Sequence, residues 1–273
     1  MIQRKPVQDR FAGKVAIVTG GSAGIGRATA EEFCSEGGSV VITGREVERG
    51  LEAERELNSL KPQALFLHGD MAEGEFVPQI IEKTLARFGR IDYLVNNAFS
   101  FIAKGAEATL EDWRRVFETG PITYARMGGA AAEEMKKVGG GAIVNVSSIS
   151  AFIAQPHRWT YNSAKGAVHI LTKCMALDLA PHGIRVNSVS PGWIWTNEVL
   201  KAAGGDRAKW DPVWGQFHML ERCGESVEVA APILFLLSED ASFITATDLA
   251  VCGGYQGLGS EGLGKQSTFA GSN

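Results

Sequence analysis

From Lys14 onward, short apolar runs alternate with longer segments whose apolar residues recur at helical spacing. Seven runs read as strands: Val15–Val18, Val40–Ile42, Ala64–Leu67, Ile91–Val95, Ala142–Val146, Ile184–Val189 and Leu249–Val251. Between them the amphipathic stretches predict helices over Ile25–Glu36, Glu46–Leu60, Glu75–Phe88, Leu110–Lys137 and Tyr161–Ala180, with an apolar helix over Glu228–Leu237. This alternation predicts an α/β fold: one doubly wound parallel sheet with helices on both faces.

No internal repeat or linker interrupts the rhythm, so residues 1–273 read as a single domain. Residues 1–10 form an N-terminal extension, and 258–273, rich in Gly and Ser, an irregular tail. The least regular stretch, 197–222, is expected to be a substrate lid.

Composition narrows the function classes. Hydrophobic residues make up 45% and charged residues 21%, the balance of a globular protein with a large core. A net charge of −4 without basic clusters argues against nucleic acid as a partner and favours a small-molecule substrate. Cys34, Cys174, Cys223 and Cys252 form no CxxC pair, so neither a disulfide framework nor a metal site is expected. No apolar stretch suits a signal peptide or a membrane span, and the reading is a cytoplasmic protein.

Strand Val15–Val18 runs through Gly20-Gly21-Ser22-Ala23-Gly24-Ile25-Gly26 into a helix. Glycines there permit unusual dihedrals, close approach of backbone to a pyrophosphate, and a helix start tight against the sheet. The helix N-terminus then offers amide donors and positive dipole to the phosphates, which points to a dinucleotide. After the second strand, where a carboxylate would bind the ribose hydroxyls of NAD(H), stands Arg45. A guanidinium pairs with a 2′-phosphate through charge-assisted hydrogen bonds worth roughly 1.5–3 kcal/mol, so NADP(H) is expected over NAD(H). Glu46 beside it weakens the basic character.

Tyr161 and Lys165 lie four residues apart and share a helix face. A nearby cation favours the phenolate of a Tyr, making it an acid/base for an alcohol proton. Ser148 follows the strand Ala142–Val146, at the carboxyl end where ligands bind in open parallel sheets, and is placed to hold a substrate oxygen.

Together TGGSAGIG, Asp70, Asn96-Asn97-Ala98, the Ser148 of NVSSIS, YNSAK and Pro191-Gly192-Trp193-Ile194-Trp195-Thr196 resemble the short-chain dehydrogenase/reductase family, over about Phe11 to Gly257. Ser148 precedes Tyr161 by 13 positions, the family's usual spacing. The resemblance implies a Rossmann-fold oxidoreductase that passes a hydride between a nicotinamide cofactor and a carbonyl or alcohol. It implies that Ser148, Tyr161 and Lys165 are catalytic, with Tyr161 and Lys165 also on the cofactor. It places Gly20, Ser22, Ala23, Gly24, Ile25 and Gly26 on the pyrophosphate. Asp70 with Met71, then Asn97 and Ala98, fall on the adenosine side, and Pro191, Gly192, Ile194 and Thr196 at the nicotinamide end.

Three positions depart from the pattern. The helix Asn that completes the family's proton relay is Gly120, followed by Pro121, a pair that should break or kink the helix. The usual Gly after NNA is Phe99, and the usual Asp-Gly-Gly near the last strand is Cys252-Gly253-Gly254. Gly120 leaves an alternative class open, a catalytically impaired dinucleotide-binding sensor. The expected substrate wall is Phe99, Ser148, His157, Trp159 and Trp193, within an aromatic set suited to a bulky or cyclic carbonyl or a sugar hydroxyl. The family's assembly implies a homotetramer or homodimer.

Overall fold

The computed structural model describes residues 4–59, 63–259 and 262–263. Its strands are β1 (Val15–Val18), β2 (Ser39–Gly44), β3 (Ala64–His68), β4 (Tyr93–Asn96), β5 (Gly141–Val146), β6 (Ile184–Pro191), β7 (Ile194–Trp195), β8 (Gly224–Glu225) and β9 (Asp248–Val251). Its α-helices are α1 (Gly24–Ser35), α2 (Val47–Asn58), α3 (Phe76–Phe88), α4 (Leu110–Phe117), α5 (Thr123–Lys137), α6 (Trp159–Leu179), α7 (Asn197–Ala202), α8 (Arg207–Gly215) and α9 (Ser226–Leu237).

Seven strands form one parallel sheet in the order β3-β2-β1-β4-β5-β6-β9, as the alternating pattern predicts for a doubly wound fold. The strand runs are apolar without alternation because both faces are buried. Ala16, Val18 and Ile42 face a core with Phe33 of α1 and Ile233 and Leu237 of α9. Ile17, Val41, Leu94 and Ile143 face the other way, onto Ile80 of α3, Met127 of α5 and Met175 of α6. Strand order reverses between β1 and β4, and the switch opens a crevice beyond the carboxyl ends of the strands.

The predicted helix Leu110–Lys137 is two helices. Thr109 opens α4 with a capping box, and α4 ends at Phe117. Residues Glu118–Ile122 then form a wide turn in which Gly120 leaves helical geometry (φ −106°, ψ −112°). Pro121 supplies no N–H to the turn, so the break falls where the Gly-Pro pair predicts it. The stretch 197–222, expected to be irregular, contains α7 and α8, both capped: Thr196 accepts from Val199 N–H and Asp206 from Lys209 N–H. The short parallel ladder of β7 with β8 has too few residues to show a period and went unpredicted. The helix predicted to Leu60 is described only to Asn58, and most of 258–273 lies outside the described residues. The N-terminal extension is tied down, with Arg4 and Arg10 both bonded to the buried Glu36.

Candidate active site

The glycine-rich turn joins β1 to α1 at the switch point. Gly20 and Gly24 have φ of +66° and +55°. A Cβ on Gly26 would lie 2.5 Å from both Gly20 O and Asn97 Nδ2, so this glycine lets helix and turn touch while lying behind the groove. Asn97 locks the turn by donating through Nδ2 to Thr19 O at 2.9 Å and Gly20 O at 3.3 Å. Its role is thus partly to hold the loop. At Ala23, α1 begins with no side-chain cap and no acid in its first turn. Its leading amides and the positive helix end therefore point into a groove lined by Gly20, Ser22, Ala23, Gly24 and Ile25, a fit for a pyrophosphate.

Past β2 the groove is lined by Arg45, Glu46 and Arg49. The sequence reading did not name Arg49. Its Nη2 donates to Glu46 at 2.8 Å, which leaves Arg45 the freer cation. Across the groove, Asp70 accepts from Ala72 N–H at 2.9 Å and pairs with Arg115, another residue the pattern did not single out. Burial pushes the Asp70 carboxyl up, but the bonds from Arg115 and Ala72 and the charges of Arg115 and Arg45 outweigh it and hold it below the ordinary value. Met71, Ala98 and Thr196 complete this wall. Pro191, Gly192 and Ile194 close the sheet end beside the groove without lining it. Pro191 stands in register with Val251, bare Gly192 leaves room for His218, and Ile194 turns its side chain into the core.

At the far end the structure gathers Ser148, Tyr161 and Lys165. Ser148 is buried and its Oγ accepts from Ser150 N–H at 3.1 Å. Lys165 is 3% exposed, donates to Val146 O at 2.8 Å, and holds its Nζ 3.8 Å from the centre of the Phe99 ring. Burial pulls its ammonium down to about 7. Tyr161 is raised above its ordinary value by burial, which outweighs the Ser148 hydrogen bond and the Arg158 charge. Burial is thus the largest influence on both groups, and it acts against the charged form of each.

Phe99 and Gly120 explain each other. A Cβ on Gly120 would meet Phe99 Cε2 at 2.5 Å, so the ring occupies the space a side chain at 120 would take. The same ring stands edge-on to Tyr161, centroids 5.4 Å apart. Phe101 packs on Tyr161 at 4.8 Å. Trp193 stacks on Trp214 at 4.8 Å, and Trp210 extends the stack. His218 ties this wall together: its Nε2 accepts from Trp193 N–H and its Nδ1 meets Trp214 O. Trp159 and His157, expected at the substrate, do not join it. Trp159 is 57% exposed at the start of α6, and His157, with φ of +56°, packs by Gly105. Arg158 between them does face Tyr161, a residue that aromatic patterning could not flag.

A family model described as enoyl-(acyl carrier protein) reductase matches residues 20–256. The chain belongs to the short-chain dehydrogenase/reductase family. It is 37% identical to a cyclopentanol dehydrogenase of a Comamonas strain over 250 residues, 90% of this chain and 98% of that one. It is 35% identical to the NADP-dependent (R)-specific alcohol dehydrogenase of Lentilactobacillus kefiri, over 90% of this chain and 98% of that one. L-sorbose reductase from Gluconobacter frateurii, solved with NADPH and L-sorbose, superposes with a TM-score of 0.87 at 32% identity, covering 92% of this chain and 100% of that one. The chain is accordingly an NAD(P)(H) oxidoreductase of alcohols and carbonyls. No helix among the described residues is long and apolar enough to cross a membrane.

Proposed function

We propose that this short-chain dehydrogenase/reductase uses NADP(H) to interconvert a bulky or cyclic ketone, or a sugar carbonyl, and its alcohol. The observation that carries the reading is the meeting of Ser148, Tyr161 and Lys165 at the end of the glycine-turn groove, under an aromatic wall. The bound cofactor supplies or takes the hydride. Ser148 holds the carbonyl oxygen, and Tyr161, whose hydroxyl burial favours over the phenolate, delivers its proton to that oxygen. Lys165 would take a ribose hydroxyl of the cofactor, a hydrogen bond that would favour its ammonium form and ease the return of the Tyr161 proton. Asp70, Asn97 and Ala98 would hold the adenosine half, and Thr196, the member of the 191–196 segment that lines the groove, the nicotinamide half. Arg45, with Arg49 beside it, supports the choice of NADP(H). The cyclic and sugar substrates named for the relatives support the substrate class.

NADPH oxidation with a panel of cyclic ketones and keto-sugars tests the proposal. Tyr161→Phe is expected to lower kcat by about 10²–10⁴-fold. An unchanged rate removes Tyr161 from the mechanism. The Phe99 ring in the place of a relay group favours a second reading, a cofactor-binding sensor, whose signature is NADPH binding with no turnover on the panel. We also infer a homo-oligomer, since Leu177 and Ile170 of α6 stand 77% and 57% exposed; light scattering above the 29.2 kDa of one chain tests it.

A further inference from the structure

Arg158 occupies an unusual place for a charged residue. Its guanidinium carbon lies 5.7 Å from the Phe101 ring centre and 5.5 Å from that of Trp193. Phe101 in turn packs on Tyr161. The charge is close enough to favour ionisation of the Tyr161 hydroxyl. Among the described residues, the guanidinium has no hydrogen-bond acceptor and no carboxylate partner. Position adds a cost, because Arg158 is the N-cap of the 21-residue α6, where the helix dipole disfavours a cation. An arginine held between two aromatic faces, with its N–H fork unspent and its charge opposed by a helix, lacks an anion that the protein does not provide.

We propose that Arg158 binds the carboxylate of the substrate, so that the enzyme acts on oxo acids and hydroxy acids with the carboxylate set apart from the reacting carbon. The inference rests on the Tyr161-centred reaction proposed above. In the reduction, the hydride of NADPH adds to the carbonyl carbon, the C–O π pair takes the Tyr161 proton, and NADPH leaves as NADP⁺. The carboxylate keeps its bonds throughout and only positions the ring. The apolar body of such a substrate lies beside Phe101, which is 60% exposed, while its charge meets the open fork of Arg158.

The test pairs 4-oxocyclohexanecarboxylate with its methyl ester, which has nearly the same shape and no charge. The wild-type enzyme is expected to show the higher kcat/KM for the acid. Arg158→Gln is expected to lower the acid-to-ester ratio by about 10- to 100-fold, chiefly through KM, and Arg158→Lys to recover part of it. A second readout is calorimetric titration of unreactive cyclohexanecarboxylate into the NADP⁺-loaded protein, expected to bind wild type and to lose affinity in Arg158→Gln. A wild-type preference for the ester, or a ratio untouched by Arg158→Gln, overturns the assignment while leaving the oxidoreductase reading in place. Should the wild type turn over neither compound nor any neutral ketone, the oxidoreductase mechanism fails. The calorimetric arm then decides the anion site alone: no binding overturns it, and binding lost in Arg158→Gln upholds it.

Discussion

Phe99 and Gly120 form a coupled pair, each shaped by the other. A side chain at 120 would collide with the Phe99 ring at 2.5 Å, so Gly120→Ala is expected to destabilise by about 1–3 kcal/mol through overpacking. In a Phe99→Gly background the same change should cost much less. Urea melts of the two single variants and the double variant measure this, and additive effects would show that the contact is unimportant. Lys165 carries a second prediction. Burial pulls its pKa from an ordinary 10.5 to about 7, so between these values the unfolded chain takes up a proton that the folded chain does not. Stability contributed at this site is therefore lost as pH falls from about 10.5 to about 7, and constant below. The urea midpoint of Lys165→Met, compared with wild type, should move ahead of it over that window and run parallel below it.

At the scale of elements, the wall made by β7, α8 and the turn before β8 depends on His218. Its Nε2 accepts from Trp193 N–H at 3.2 Å, which leaves the proton on Nδ1 to reach Trp214 O at 3.1 Å. Burial is the main cause holding its pKa below the ordinary 6.5, against the pull of the Trp214 and Gly215 carbonyls and Asp211. The sign follows from the neutral form being the native one: its contribution is present above about pH 6.5 and is lost as pH falls toward the folded value. Near-UV circular dichroism of the stacked tryptophans should weaken on acidification below about pH 6.5, before far-UV signal is lost. In His218→Gln the near-UV signal should be weaker at neutral pH and lack this step.

For the whole molecule, the proposed choice of NADP(H) rests on the corner where the β2 end meets α2. Arg45 and Arg49 line the same corner of the groove, and among the described residues the Glu46 carboxylate pairs with Arg49. The ratio of kcat/KM for NADPH to that for NADH is expected to exceed one in the wild type. Arg45→Ala should lower it by roughly 10- to 100-fold, in keeping with a charge-assisted bond. A wild-type ratio at or below one would refute the NADP(H) assignment. This prediction needs the assembled groove, since Ser22 of the glycine turn lines the same corner, its Oγ 2.6 Å from where a Gly44 Cβ would stand.

How much was legible in the chain follows the range of the interactions. Strand runs, the glycine-rich turn and the Tyr161–Lys165 pair are short-range patterns, and each stands within a few residues of where the spacing put it. Helix ends moved by about two residues because caps decide them: α9 starts at Ser226 on the Glu225–Glu228 capping box. The Gly-Pro break in the long helix was also legible, since it needs only a missing N–H and a missing Cβ. Tertiary packing decided the rest. It filled the space beside Gly120 with a ring 21 residues upstream in the chain, buried Lys165 until its proton loosened, and sent Trp159 to solvent. It also brought Arg49, Arg115 and Arg158 to the groove and its mouth, where no periodicity marks a cation. Patterns along the chain report which face a residue takes; what meets that face is settled by elements distant in sequence, and this chain's chemistry is tuned by those meetings.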